Sequence, residues 1–351
     1  MNRTALHPTW TVPEFVLGHD QRGCPLTPGG AVPTESLNAN QSELHAATSG
    51  AWSDYLAGRH TELLAGLPAL MADTRRAASV LAGDHAAEAA GLLATSYRIA
   101  AGLSGRLGLV DLGAHAAHRA LDTARFTTRP ELDEAGALRY LVWVLVRQGD
   151  LAGAERIAVR AAERLDGGLL AQPDRDRIGV FGSLLMNAAS AASRQGAPGR
   201  AEDLLRVASA AAARLGVDRT DEAGMLGPRI AAMQAVDQAI DAGEPDRAMQ
   251  LATQVPDATG PVAPFWESGH RLHLAAACAD LERWSDVVEH LAGRPAAGTA
   301  MVAGPAAGPH RRRPARRAPR TPLRTHHGAS RALRDWADQQ PFRCHLPVRR
   351  H

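Results

Sequence analysis

Two pairs of histidines at helical spacing are the first candidates for chemistry in this chain. His115 and His118 lie three residues apart, as do His270 and His273. This spacing places both rings of a pair on one face of a helix, where they can ligate a metal ion. Neither pair has a nearby third ligand of the HExxH kind. We therefore expect exposed histidines on helix surfaces and no metal site.

Arginine is the other residue type that can carry a function here. All 39 basic side chains are arginine, because the sequence has no lysine. The lack of lysine excludes a GxxxxGK[ST] phosphate loop, a Schiff-base lysine and a standard kinase site. The sequence also lacks a GxSxG nucleophile elbow, and its acids are scattered. We expect no enzyme and no cofactor, and arginine favours binding of carboxylates or phosphates instead.

The charge is divided between two parts of the chain. Residues 294–351 contain 13 arginines and two acids, a formal charge of +11, whereas the remainder has 26 arginines and 35 acids, a charge of −9. The tail includes a cluster of five arginines: Arg311, Arg312, Arg313, Arg316 and Arg317. This cluster could bind nucleic acid through its phosphates. The alternatives are a disordered tail or the product of a shifted reading frame in GC-rich DNA.

The sequence carries no signal for a membrane or an oxidising compartment. Its three cysteines, Cys24, Cys278 and Cys344, form no CxxC pair. The N-terminus lacks a basic region followed by an apolar run, and the longest strongly apolar stretch, 140–146, is too short to cross a bilayer. We expect a soluble cytoplasmic protein without a membrane partner.

Glycine recurs at long, nearly regular intervals in the middle of the chain. Each is followed by a small residue five places on and a small or apolar one twelve places on: Gly108, Gly113, Ala120; Gly149, Ala154, Ala161; Gly196, Ala201, Ala208; and Gly243, Ala248, Val255. The glycines are 41, 47 and 47 residues apart, a period that indicates a solenoid of stacked helical hairpins. Glycine ends the first helix of a hairpin in the left-handed conformation, and the small residues let two helices approach closely.

The periodicity of apolar residues predicts an all-α fold in three parts. These are an irregular segment over 1–41, a right-handed solenoid of five to six helix pairs over 42–293, and a disordered basic tail over 294–351. The first pair begins at Ser42. The later pairs are 84–107 with 109–126, 131–148 with 150–166, 174–195 with 198–215, 221–242 with 245–255, and 265–281 with 284–292.

These hairpins resemble tetratricopeptide repeats over about 42–292. That motif has a small residue at position 8, a glycine near 15 and alanines at 20 and 27. Position 8 falls on Ala101, Val142, Ala189 and Val236, and the glycine triplets supply the other positions. Because the period here exceeds the roughly 34 residues of that family, the resemblance implies longer helices and loops.

Two stretches resemble the sensor half of actinobacterial helix-turn-helix transcriptional regulators. They are 93–101 continued by 111–121, and 51–71. The resemblance implies a regulatory module that senses an effector. In that family a DNA-binding domain precedes the repeats. No three-helix DNA-binding pattern fits residues 1–41 here, so we do not extend the family's DNA binding to this chain.

The tetratricopeptide pattern implies a ligand-binding groove along the first helix of each hairpin. Positions 5, 9 and 13 would face it, and they give eight candidates: Arg98, Arg106, Arg139, Trp143, Arg147, Met186, Ser190 and Arg194. The five arginines favour a peptide, a protein segment or a small effector that is acidic. Arginines at position 13 have an alternative role as cations at helix C-termini, which the mid-helix Arg98 and Arg139 do not. Trp143 is either a core residue or a platform for the ligand.

Overall fold

A computed structural model describes residues 34–169, 174–222 and 224–292. Within these ranges the chain is all-α, with twelve helices and one two-stranded antiparallel hairpin. The helices are α1 Thr34–Ala57, α2 His60–Val80, α3 Gly83–Arg106, α4 Val110–Ala124, α5 Pro130–Gln148, α6 Leu151–Leu169, α7 Arg175–Arg194, α8 Pro198–Leu215, α9 Pro228–Asp241, α10 Pro245–Ala252, α11 Pro264–Asp280 and α12 Trp284–Ala292. The strands are β1 Arg219–Asp221 and β2 Gly224–Leu226. The predicted all-α fold of helical hairpins is confirmed.

The helices pack as six hairpins, from α1–α2 to α11–α12. The first helix of each hairpin also contacts the first helix of the next, in the order α1, α3, α5, α7, α9 and α11. In addition, α1 contacts α11. The first and sixth hairpins therefore meet, and the six first helices surround a common interior.

The recurring glycines sit at the turns, as the sequence predicts. Gly108, Gly149, Gly196 and Gly243 have φ angles of 79°, 88°, 78° and 74°, which an L side chain adopts only with strain. At the turn of the sixth hairpin Glu282 takes this conformation, with φ of 57°. The abrupt turn thus depends on backbone conformation more than on glycine itself.

Alanine fills the contact between the two helices of each hairpin. Ala154, Ala201 and Ala248 are buried at the position five residues after the turn glycine. At Gly113, even a methyl group would lie 3.2 Å from the Ala101 carbonyl oxygen. Small side chains at this position allow close packing of helices, which is why a chain with few aromatic residues can build this core.

Two predicted boundaries are wrong. Helix α1 begins at Thr34 and not at Ser42, so residues 34–41 belong to a helix instead of an irregular segment. The predicted helix over 221–242 begins only at Pro228, and the residues before it form the β1–β2 hairpin. The remainder of the 1–41 segment and the tail from 294 lie outside the described residues.

The β1–β2 hairpin exists because tertiary contacts override helical periodicity. Strand β2 packs against α7, and a side chain on Gly224 would lie 2.6 Å from the Gly179 carbonyl group. Asp218, buried just before β1, accepts backbone hydrogen bonds from Arg229 at 2.9 Å and Thr259 at 3.0 Å. This carboxylate fixes the hairpin to the start of α9 and to the loop that precedes α11.

Among the described helices, none combines the length and the apolar character needed to cross a bilayer.

Candidate functional site

All six first helices contribute to one interior cavity of about 60 Å³. Its lining residues are Tyr55 of α1, Arg106 of α3, Arg139, Tyr140 and Trp143 of α5, Ser183, Met186 and Asn187 of α7, Met225 of β2, Gln234 of α9 and Trp266 of α11. We call it the central cavity. Four of the eight predicted groove residues line it, and no acidic side chain does among the residues that the structure describes.

Arg98 lies outside the central cavity, in a buried ion pair. Its Nη1 donates to Asp133 at 2.9 Å, and its Nη2 donates to the Thr95 hydroxyl at 2.6 Å. Glu222, in the turn between β1 and β2, lies 3.8 Å from Nη2 and accepts a hydrogen bond from Thr95. Arg98 thus lines a separate cleft of about 260 Å³, in which it already pairs with Asp133 and lies near Glu222.

Arg106 is buried between aromatic rings. Its Cζ lies 3.9 Å from the centroid of Phe265 in α11 and 4.7 Å from that of Tyr55 in α1. Such cation–π contacts stabilise a desolvated guanidinium. The start of α11 therefore covers this part of the predicted groove, and Arg106 faces the interior instead of an open surface.

Arg139 is the exception among the buried arginines. The charged residue Arg139 is only 8% exposed to solvent. Its Cζ lies 4.4 Å from the ring centroid of Tyr140. Its Nε and Nη2 are buried without a hydrogen-bond partner, and no carboxylate of the described residues pairs with it. A buried charge that lacks an ion pair costs on the order of several kcal/mol. Arg139 is therefore the strongest ligand candidate in the cavity.

Tyr140, the next residue, adds an oxygen to the same site. Burial raises the pKa of Tyr140 to about 12, although the nearby charges of Arg139 and Arg98 oppose the rise. The phenol thus stays protonated at neutral pH, and its buried hydroxyl lies next to the Arg139 side chain without a well-aligned hydrogen bond. It can donate a hydrogen bond to an acceptor in the cavity.

Two glycines inside α3 make room for the aromatic walls of the cavity. A side chain on Gly102 would collide with the Tyr55 ring, and one on Gly105 would collide with the Trp143 ring. Trp143 is half-buried, with the guanidinium carbon of Arg147 5.0 Å from its ring centroid. Trp143 thus belongs to the cavity wall, whereas Arg147 packs behind it.

The remaining predicted groove residues divide between core and periphery. Met186 is buried in the hydrophobic core and also lines the cavity. Ser190 is half-buried and does not line it. Arg194 donates to the Val146 carbonyl in the last turn of α5, at 3.3 Å. This contact agrees with the alternative role of position-13 arginines as cations at a helix C-terminus.

The sequence patterns did not assign two residues of the cavity lining. Met225 comes from the β1–β2 hairpin, and Trp266 comes from the start of α11. Repeat positions assign only residues within the hairpins, so an insertion that folds back over the first helices has no position in the pattern. The one available signal was Pro228, which favours a helix start.

One histidine pair is buried, contrary to expectation. His270 and His273 of α11 face α9, and the Nδ1 of His273 lies 2.7 Å from the Asp237 carboxylate. Burial lowers the pKa of His270. Of the other pair, His118 is exposed and His115 is half-buried. Among the described residues, no group of three or more His, Cys, Asp or Glu is placed to hold a metal ion.

A larger cleft of about 600 Å³ lies between α8 and the α9–α10 hairpin. Its charged residues are already paired, because Arg247 binds Glu202 at 2.7 Å and Glu244 at 2.9 Å. The central cavity is smaller but contains the unpaired guanidinium, so we regard it as the better candidate. The predicted nucleic-acid cluster over 311–317 lies outside the described residues.

Comparison with protein-family models and with curated proteins found no match to this chain.

Proposed function

We propose that this chain is a regulatory module of the tetratricopeptide type that binds an effector in its central cavity. One observation carries the proposal: side chains from all six first helices line a single cavity in which a buried arginine has unused donors. Buried polar groups are normally hydrogen-bonded. Where they are not, at a site with converging polar groups, a ligand is the physical expectation.

The position of the cavity suggests how binding would act. A ligand there would touch α5 at Arg139 and α11 at Trp266, which belong to the third and sixth hairpins. It would favour the arrangement in which α11 lies against α1 and α3. The module would thus respond by a shift between two curvatures of the hairpin array, as we propose for the effector-sensing half of a transcriptional regulator.

Hydrogen exchange on the full chain tests this proposal. We would first screen small carboxylates, inorganic phosphate, nucleotides and acidic peptides for a rise in melting temperature. With a compound that binds, we expect slower amide exchange in both α1 and α11. Slower exchange limited to α8 and α10, beside the larger cleft, would place the ligand elsewhere and contradict the proposal.

The charge of the tail favours a second candidate function, association with nucleic acid. Residues 294–351 carry a formal charge of +11, and arginine contacts to phosphates give binding that weakens steeply with salt. This candidate depends only on the tail and is independent of the central cavity.

A further inference from the structure

Arg139 presents its free donors as an adjacent pair. Nε and Nη2 lie on the same edge of the planar guanidinium group, and both are buried without a partner. A carboxylate accepts two parallel hydrogen bonds from such an edge, which gives both affinity and orientation. A chloride ion offers a single acceptor atom to both donors, so it cannot form the two parallel hydrogen bonds of a carboxylate.

The unused donors in the cavity call for a single carboxylate group. Arg106 also lines the cavity, but its guanidinium carbon already lies 3.9 Å from the Phe265 ring centroid and 4.7 Å from that of Tyr55. Arg98 is paired with Asp133. Arg139 keeps two adjacent buried donors without a partner, Nε and Nη2, and one carboxylate group satisfies both.

The size of the cavity limits the ligand further. A volume of about 60 Å³ is about four to six times the roughly 10–15 Å³ of such space that holds one water molecule, so it suits a ligand of about four to six non-hydrogen atoms. This space fits a carboxylate with one or two further carbons. The thioethers of Met186 and Met225 line the same cavity, and methionine adapts to small apolar groups.

We propose that the central cavity binds a small monocarboxylate of the size of acetate or propionate, held side-on by Nε and Nη2 of Arg139. The hydroxyl of Tyr140 donates a third hydrogen bond to the same carboxylate. This inference rests on the proposed function and names its ligand class. The apolar end of the ligand faces Met186 and Met225.

Isothermal titration and thermal melting of the full chain test the inference. The probes are sodium acetate, propionate and benzoate, with sodium chloride and inorganic phosphate at equal ionic strength. We expect saturable binding of acetate and propionate, with a rise in melting temperature, and no comparable effect of benzoate, chloride or phosphate. Because a hydrogen bond to a charged group contributes about 1.5–3 kcal/mol, Arg139→Gln should raise the Kd of propionate at least about tenfold.

Three further variants separate ligand contacts from folding. Arg139→Lys keeps the charge but loses the paired donors, so it should also weaken propionate binding. Tyr140→Phe removes a single oxygen and should weaken it less, with the melting temperature of the free protein unchanged. The matched control is Arg200→Gln, since Arg200 pairs with Glu155 at the surface, and it should bind propionate normally.

The outcomes distinguish the ligand class from the proposed function. If the wild-type chain binds neither acetate nor propionate, but phosphate or an acidic peptide binds and Arg139→Gln abolishes it, the carboxylate assignment is wrong and the binding function stands. If no probe alters the wild-type protein, both are wrong. Propionate binding that survives Arg139→Gln would overturn this site.

Discussion

The guanidinium of Arg106 lies against the ring of Phe265, with 3.9 Å between Cζ and the ring centroid, although the two residues belong to the second and sixth hairpins. The same guanidinium lies 4.7 Å from the ring centroid of Tyr55 in α1, and the Tyr55 and Phe265 rings are in an edge-to-face contact with centroids 6.5 Å apart. The contact thus joins three first helices that are distant in sequence. Through this contact α11 covers the surfaces of α1 and α3 that the repeat pattern predicts to be exposed in a groove.

Phe265→Leu should destabilise the chain through loss of this stacking. A desolvated cation–π contact contributes up to about 2 kcal/mol, so we expect the free energy of unfolding to fall by about 1–2 kcal/mol in urea denaturation. Phe126→Leu is the matched control, because Phe126 is 63% exposed beside Arg125, 5.1 Å from ring centroid to Cζ. Equal effects of the two variants would show that the Arg106 contact contributes nothing beyond surface packing.

The two acids beside Arg98 should differ in their effect on stability. Asp133 contacts Arg98 directly and its side chain is 18% exposed, whereas Glu222 is farther away and 40% exposed. Breaking a buried pair costs about 3–5 kcal/mol, and an exposed pair is worth roughly 1 kcal/mol or less. Asp133→Asn should therefore lower the free energy of unfolding by several times more than Glu222→Gln. The reverse order would mean that the hairpin, and not α5, holds Arg98.

Stability should fall in mild acid because of His270. Burial lowers its pKa below the ordinary 6.5, with Asp237 opposing and with His273, Arg229 and Glu267 as the other charged or titratable neighbours. The unfolded chain therefore takes up a proton at a higher pH than the folded one. The stability contributed by neutral His270 is complete above about pH 6.5 and declines as the pH falls through the lowered pKa.

Melting temperatures between about pH 7.5 and pH 5 measure this dependence. The variant His270→Gln should have a flatter profile than the wild-type chain over the acidic part of the range. His118→Gln is the control, since His118 is exposed on α4, and its profile should match the wild type. A wild-type slope that persists unchanged in His270→Gln would assign the acid sensitivity to another group.

Gly224→Ala should loosen the β1–β2 hairpin from α7. Its new methyl group would lie 2.6 Å from the Gly179 carbonyl carbon and oxygen, and backbone on both sides leaves little room to adjust. We expect a loss of about 1–3 kcal/mol, as for overpacked sites, measured by urea denaturation. Gly50→Ala, in open space within α1, should instead stabilise by about 0.5–1 kcal/mol.

Deletion of residues 294–351 tests the nucleic-acid candidate. If the basic tail binds DNA, the full chain should bind a DNA duplex with an affinity that falls steeply between low and physiological salt. The truncated chain should not bind, while its carboxylate affinity stays unchanged. Salt-sensitive DNA binding that survives the deletion would exclude the tail as its source.

The sequence by itself determined the hairpins and their turns. Gly108, Gly149, Gly196 and Gly243 adopt the predicted left-handed conformation, and the small residues that follow them are buried or partly buried. These features are local: a positive φ favours glycine, and a helix pair requires small side chains where it is closest. Spacing along the chain is therefore enough to predict them.

Only the tertiary structure decided which arginines are free. Arg98 and Arg139 occupy the same repeat position, yet Arg98 is paired with Asp133 and Arg139 has unused donors. Arg106, at the end of α3, is stacked on Phe265. Their partners come from other hairpins, at separations that no period encodes. Burial and charge pairing depend on everything that surrounds a side chain. The candidate site therefore depends on how α11 and the β1–β2 hairpin pack against the other first helices.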